Sequence, residues 1–215
     1  MRRTFLIAAA SAAPVLLAFA AASGSQAVAA AHTGGDPSVF STSLDPVPTN
    51  RVDARGSASV RLDGDTAWVT VRVRGLITAP HAMHIHAKGE GECPEADDAT
   101  KHNGRRSMST TDGLGDYGPV GTSLTTRGDT SPASALAIAR FPQVGTYTYT
   151  RSIKLTHDMA MAVRHENAVI VVHGIDYNGN KKYDYVLGVS DLSASLPMEA
   201  TAPALCGPLD RVGDH

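Results

Sequence analysis

The clearest indication of secondary structure in the sequence is a run of alternating residues from Ala67 to Arg74. It reads Ala-Trp-Val-Thr-Val-Arg-Val-Arg, so its valines alternate with larger or more polar side chains. A period of two places one set on each face of an extended chain, which predicts a half-buried strand. An Asp63-Gly64-Asp65 turn separates it from a second extended run, Gly56 to Leu62, and predicts a hairpin.

Later segments also predict an extended conformation. Extended runs at Ala135 to Phe141, Gly145 to Ile153 and Ala168 to His173 predict further strands. No long amphipathic helix is indicated, although Asp158 to Glu166 is compatible with a helical turn. Short strands separated by turns predict an all-β, antiparallel sandwich or barrel.

The first thirty-one residues have the composition of a secretory signal peptide. Arg2 and Arg3 precede an apolar run from Phe5 to Ala22, and small residues follow up to Ala31. The paired arginines also resemble a twin-arginine export signal. We therefore expect an exported, extracellular protein whose mature form has no membrane span. A flexible linker over 32–50, rich in Gly, Pro, Ser and Thr, a β domain over 51–208 and a mobile tail over 209–215 complete the predicted organisation.

Charge and cysteine content narrow the possible functions. The chain has 19 basic and 21 acidic residues, and removal of residues 1–31 takes away two basic ones, which leaves 17 against 21, a balance of −4. This balance gives no indication of a nucleic-acid partner. Cys93 and Cys206 are the two cysteines. In an exported chain they are expected to form one disulfide that holds distant parts of the domain together.

The segment His81-Ala-Met-His84-Ile-His86 is the main candidate for chemistry. In an extended chain His84 and His86 point to the same face, whereas Ile85 points to the other. Two imidazoles on one face form half of a metal site, and the alternative is a pair of surface histidines.

The order of several motifs resembles that of the copper/zinc superoxide dismutase family. A strand ending in Gly75-Leu76 leads to the histidine segment, then to Gly89 and Cys93. Val171-Val172-His173 resembles the family's later Val-Val-His strand end, and Leu205-Cys206-Gly207 resembles its terminal Cys-Gly. The resemblance spans roughly 56–208 and implies the family's Greek-key β-barrel.

The resemblance also implies a site. It makes His84, His86 and His173 copper ligands and His102 the histidine that bridges copper and zinc in the family. It makes His81 a structural residue that braces the loop through backbone hydrogen bonds, and pairs Cys93 with Cys206. The implied reaction is the disproportionation of superoxide, a small-molecule substrate, at one copper ion.

Two departures from the family pattern limit this inference. Between Cys93 and Leu114 the only histidine is His102, and Asp112 alone cannot complete a zinc site, so we expect zinc to be absent. Pro203 stands where the family has the arginine that attracts superoxide. Arg105, Arg106, Lys181 or Lys182 could substitute, or could be solvated surface charges.

The segment Asp176 to Asp184 replaces the family's charged loop. Its oxygen-bearing side chains at alternate positions resemble the start of a calcium loop, but the glutamate expected twelve positions in is Leu187, so an Asn/Asp/Gly-rich turn is the favoured interpretation. Asp176 is also a candidate to orient a copper-ligating histidine. The sequence therefore leaves three hypotheses: a superoxide dismutase, a non-catalytic copper-binding or storage protein, and a structural module with a degenerate site.

Overall fold

The computed structural model describes residues 37–213. The predicted signal peptide, residues 1–31, lies outside this part of the chain. Within residues 37–213, no helix has both the length and the apolar character needed to cross a membrane.

Strands dominate the described chain. They are β1 Ser38–Pro46, β2 Arg55–Asp63, β3 Thr66–Arg74, β4 Met83–Ala87, β5 Thr100–His102, β6 Arg105–Ser107, β7 Val120–Ser123, β8 Tyr147–Lys154, β9 Ala168–His173, β10 Pro203–Pro208 and β11 Asp210–Arg211. The α-helices are short, namely α1 Leu114–Tyr117, α2 His157–Arg164 and α3 Met198–Thr201. Single 3-10 turns occupy Ala96–Asp98, Pro132–Ser134 and Ile138–Arg140.

Nine of these strands form one sheet that curls into a half-barrel. The order is β7-β4-β9-β10-β1-β2-β3-β8, with β11 paired to β1. All the strand pairs are antiparallel. The prediction of an all-β antiparallel sandwich or barrel is confirmed.

The hairpin of β2 and β3 forms where the alternation predicts it. A two-residue turn, Gly64-Asp65, joins the strands, and Gly64 has φ +53°, a value that glycine adopts at little cost. Val69, Val71 and Val73 are buried against the core, whereas Arg72 and Arg74 are exposed.

Strands β4 and β9 are buried on both faces. One face carries Met83, Ile85, Ile170 and Val172 into the main core. The opposite face carries Val169 and Val171, which join a smaller apolar cluster beneath the loops. Burial of such apolar side chains contributes about 1.5–3 kcal/mol each. The two strands therefore hold rigidly the other side chains that lie on this second face.

The prediction of a flexible linker over 32–50 is wrong for most of its described part. Residues 38–46 form β1, which pairs with β2 over seven positions and with β10 at Asp45 and Pro46. Phe40 and Leu44 are fully buried and supply the apolar face that the Ser- and Thr-rich composition obscures. The strand joins the two halves of the sheet, so the domain begins earlier than residue 51.

Two further predictions need correction. The tail expected to be mobile from residue 209 begins with fully buried Leu209, and Arg211 pairs with Phe40. The run from Ala135 to Phe141, predicted as a strand, forms a 3-10 turn instead, with hydrogen bonds such as Arg140 N–H to Ala137 O at 2.8 Å. Every second residue from 135 to 139 is alanine, which is depleted in strands, and this explains the difference.

The disulfide is present between Cys93 and Cys206, which are 113 positions apart in sequence and have Cα atoms 5.8 Å apart. It ties the loop that follows β4 to strand β10. Cys206 is buried in the smaller apolar cluster, beside Val171 on β9. The covalent link therefore holds this loop over the face of the sheet on which the histidines lie.

Candidate metal centre

Three of the histidines implied by the sequence come together on the second face of β4 and β9. His84, His86 and His173 each offer one ring nitrogen, and the three nitrogens lie within 4.8 Å of one another. Register explains the arrangement: His84 is opposite Val171, and the His173 N–H donates to Ala82 O at 2.8 Å. Residues 169, 171 and 173 share a face, as do 84 and 86. Within residues 37–213 this is the one cluster of three or more His, Cys, Asp or Glu ligands.

The remaining nitrogen of each ring is anchored to a backbone carbonyl. These bonds join His84 Nε2 to Ala135 O at 3.1 Å, His86 Nδ1 to Gly118 O at 2.7 Å, and His173 Nδ1 to Thr201 O at 2.7 Å. A carbonyl oxygen can only accept, so each of these nitrogens carries the proton. The lone pairs consequently lie on His84 Nδ1, His86 Nε2 and His173 Nε2.

Those three nitrogens are buried and have no hydrogen-bond partner. An unsatisfied buried polar atom typically costs about 1–3 kcal/mol, so three at one point represent a large local cost. Anchoring through the opposite ring nitrogen is the arrangement by which proteins orient metal-ligating histidines. The three lone pairs can therefore act together as ligands for a metal ion.

Electrostatics keep the cluster neutral. Burial lowers the pKa of all three rings, and mutual repulsion between the imidazolium forms lowers it further for His84 and His86. The pKa of His86 falls to about 3 and that of His173 to about 4. Neutral imidazole is the form that binds metal, so the rings are ready to coordinate at neutral pH.

Aromatic rings and loops close the site. The Tyr117 ring lies 4.7 Å from the ring of His86, and the Phe141 ring lies 5.6 Å from that of His84, both edge-on. No side chain of the three histidines is more than 4 % exposed. The residues that surround the three rings come from the segment between β4 and β7, the segment before β8 and the residues just before β10.

His81 lies beside the cluster and holds the backbone around it. Its Nδ1 lies 3.0 Å from His173 O, and its Nε2 lies 3.0 Å from Ile77 O. The Tyr183 hydroxyl lies 3.1 Å from His81 Nδ1 and donates to Pro80 O. Both ring nitrogens are engaged, so His81 fixes the approach to β4 and the end of β9.

The structure does not bring His102 to the cluster, and the prediction of a fourth ligand is wrong. His102 lies on a small hairpin of β5 and β6, where its Nε2 donates to Asp112 Oδ2 at 2.6 Å. Burial raises the pKa of Asp112, but hydrogen bonds from Ser109 N–H, His102 and Thr100 outweigh it and lower the pKa. The hairpin directs His102 to this carboxylate, which leaves three histidines in the cluster.

Asp176 does not orient a ligating histidine, which corrects a second prediction. Its carboxylate accepts the N–H groups of Asn180 and Lys181 at 3.0 and 2.8 Å. The loop from Asp176 to Asp184 is thus held by its own side chains, as in an Asn/Asp-rich turn. Glu199, fully buried, fastens the loop by accepting the N–H groups of Tyr177 and Asp184.

The groups that orient the ligands are the ones that sequence reasoning missed. They are the main-chain carbonyls of Ala135, Gly118 and Thr201, and no side-chain motif marks a backbone oxygen. Gly118 alone carries a signal: its φ of +76° and a close approach to Ala87 O favour glycine there. Pro203 is buried, and it pairs with His173 in the sheet.

Comparisons with known proteins add no family assignment. Neither a protein-family signature nor a curated protein matches the chain. Functional inference therefore rests on the geometry of the three-histidine cluster and on the sequence motifs.

The metal-free protein is expected to lose stability below pH 6.5. Unfolded histidines take up protons near pH 6.5, whereas His86 in the fold does so only near pH 3 and His173 near pH 4. Between these values the unfolded state binds more protons, so the free energy of unfolding decreases as the pH is lowered, by about 1.4 kcal/mol per pH unit for each histidine.

Urea unfolding at several pH values measures the slope of this decrease. His86→Leu should reduce the slope by the share of one histidine, about 1.4 kcal/mol per pH unit, and a flat profile from pH 7 to pH 5 would contradict a neutral buried cluster.

Proposed function

We propose that this chain is an exported copper protein of the superoxide dismutase type, with one copper ion held by His84, His86 and His173. The observation that carries the proposal is the set of three buried nitrogens without hydrogen-bond partners, all aimed at one another. Their lone pairs sit on Nδ1 of the first histidine and Nε2 of the other two. The sequence motifs around them agree with the family resemblance.

Ligand chemistry favours copper over other common metals. The cluster contains imidazoles only, with no carboxylate that would suit magnesium or calcium and no thiolate, since both cysteines are in the disulfide. Imidazole sites bind copper most tightly among the divalent first-row metals. The short buried strands and the anchoring carbonyls hold the rings in place.

The proposed reaction is the disproportionation of two superoxide ions and two protons to oxygen and hydrogen peroxide. Copper, when bound, supplies the one-electron cycle between Cu(II) and Cu(I) on which this reaction depends. The chain's own contribution is to keep three neutral imidazoles in place through the carbonyls of Ala135, Gly118 and Thr201. Tyr117 and Phe141 keep bulk water away from the rings.

A second candidate function is copper binding without turnover. Two observations favour it: the ligating side chains are at most 4 % exposed, and Pro203 occupies the position where the family has a steering arginine. Loss of positive charge beside a metal lowers the rate at which a small anion arrives. A closed site without the steering arginine suits retention of copper better than rapid entry of superoxide.

A stopped-flow superoxide assay on the copper-loaded protein distinguishes the two functions. For an enzyme we expect superoxide decay in proportion to bound copper, and loss of that decay together with the copper in His173→Ala. Copper bound at about one per chain with decay no faster than in the metal-free protein would exclude dismutation and leave the binding role. Absence of any bound copper after loading would exclude both functions.

A further inference from the structure

A group of three arginines lies on the outer face of β2 and β3, separate from the histidine cluster. Arg55 is directly opposite Arg74 in the antiparallel register, and Arg72 is the next residue on the same face of β3. All three side chains are exposed. Like charges directly opposite each other destabilise a sheet. The fold therefore tolerates a local repulsion that a neutral residue would remove.

None of these arginine side chains has a partner among residues 37–213. No side-chain hydrogen bond or ion pair within those residues involves Arg55, Arg72 or Arg74, although their backbones pair in the sheet, whereas the side chains of several other arginines are engaged. Arg106 donates to Ala96 O, Arg151 to Thr125 O, Arg164 to Gly64 O and Arg211 to Ser38 Oγ. The chain has more acidic than basic residues. Three neighbouring guanidinium groups without a partner therefore differ from the arginines that are hydrogen-bonded elsewhere in residues 37–213.

The arginines line a cleft of about 530 Å³ across β2, β3 and β8. Hydroxyl side chains of Ser57, Thr146 and Thr148 also line the cleft, and no carboxylate contributes to it. Ser57 is opposite Arg72, and Arg72 is opposite Thr148, so hydroxyls flank the charge on both sides. The volume is within the range of small-molecule sites, about 300–1,000 Å³.

We infer that this cleft binds an oligophosphate, a ligand with two or more linked phosphate groups, between Arg55, Arg72 and Arg74. Guanidinium groups bind phosphate oxygens through two parallel N–H bonds, and hydroxyls donate to the remaining oxygens. Three positive charges without a carboxylate match a ligand of several negative charges better than a single phosphate. Such a ligand also removes the repulsion between Arg55 and Arg74. The inference is independent of the proposed copper function.

Isothermal titration of the purified chain with inorganic tripolyphosphate tests the inference, with EDTA present so that no metal bridges ligand and protein. We expect one binding site per chain, affinity that decreases with added salt, and weaker binding of orthophosphate. Arg72→Gln/Arg74→Gln should weaken binding by about tenfold or more, as expected when charged hydrogen bonds to phosphate are lost. Bound tripolyphosphate should also raise the melting temperature of the wild type.

Arg61→Gln is the matched control. Arg61 is exposed on the same face of β2, about 20 Å along the strand from Arg55, and its guanidinium lies over the Trp68 ring at 4.8 Å. This variant should bind tripolyphosphate as the wild type does. Equal weakening in Arg61→Gln would show a general charge effect and overturn the site. Absence of binding in the wild type, or citrate binding as tightly as tripolyphosphate, would overturn the ligand class.

Discussion

Replacement of His86 by glutamine is expected to lower the affinity for copper by more than about a hundredfold. Loss of a partner that merely orients a metal ligand costs about 10–100-fold, and here a ligand itself is lost. Glutamine keeps a side-chain N–H that can donate to Gly118 O, in place of the His86 bond of 2.7 Å. Competition against a chromophoric copper chelator measures the affinity, and Cu(II) electron paramagnetic resonance reports the number of ligating nitrogens.

His102→Gln is the matched control for this prediction. The substitution is chemically identical, but His102 bonds Asp112 and lies outside the cluster. We expect its copper affinity to equal that of the wild type. His173→Gln gives a second test if His86→Gln does not fold, and near-ultraviolet circular dichroism of the metal-free variants checks folding. Wild-type affinity in both cluster variants, or a hundredfold loss in His102→Gln, would contradict a three-histidine site.

The sequence predicts the parts of this site that depend on strand periodicity. Alternation places His84 and His86 on one face, and the apolar run at 168–173 forms β9 with the bounds expected of it. Periodicity cannot bring His173 to the same point, since that requires the pairing of β4 with β9. The resemblance to a known family, and not the local pattern, indicated that third histidine.

Loops explain where sequence reasoning went wrong. The resemblance makes His102 the counterpart of the family's bridging ligand, yet residues 100–107 form a separate hairpin in which the ring bonds to Asp112. A motif match does not indicate whether a histidine will form a hydrogen bond with a nearby carboxylate. Strand β1 was missed for a different reason: two buried side chains, Phe40 and Leu44, are enough to fix it, because β2 and β10 satisfy its backbone.

Removal of the disulfide is expected to lower the free energy of unfolding by about 5 kcal/mol. On the chain-entropy account, a cross-link across 113 positions restricts the unfolded chain by roughly that amount. Cys93→Ala/Cys206→Ala is the suitable variant, because alanine places no hydroxyl in the apolar cluster around Cys206. Urea unfolding of the metal-free protein at neutral pH gives the difference. A reductant should destabilise the wild type by a similar amount and leave the double variant unchanged.

The same variant should bind copper more weakly, because the disulfide holds the loop that supplies an anchor for a ligand. Gly118 O orients His86, and Tyr117 packs on its ring; both belong to the segment between β4 and β7, which Cys93 ties to β10. We expect about a 10–100-fold loss of affinity, the range seen when a group that orients a ligand is lost. This loss should be smaller than that of His86→Gln, because all three ligands remain. Unchanged affinity in a folded double variant would mean that the apolar contacts of Tyr117 hold the loop without the cross-link.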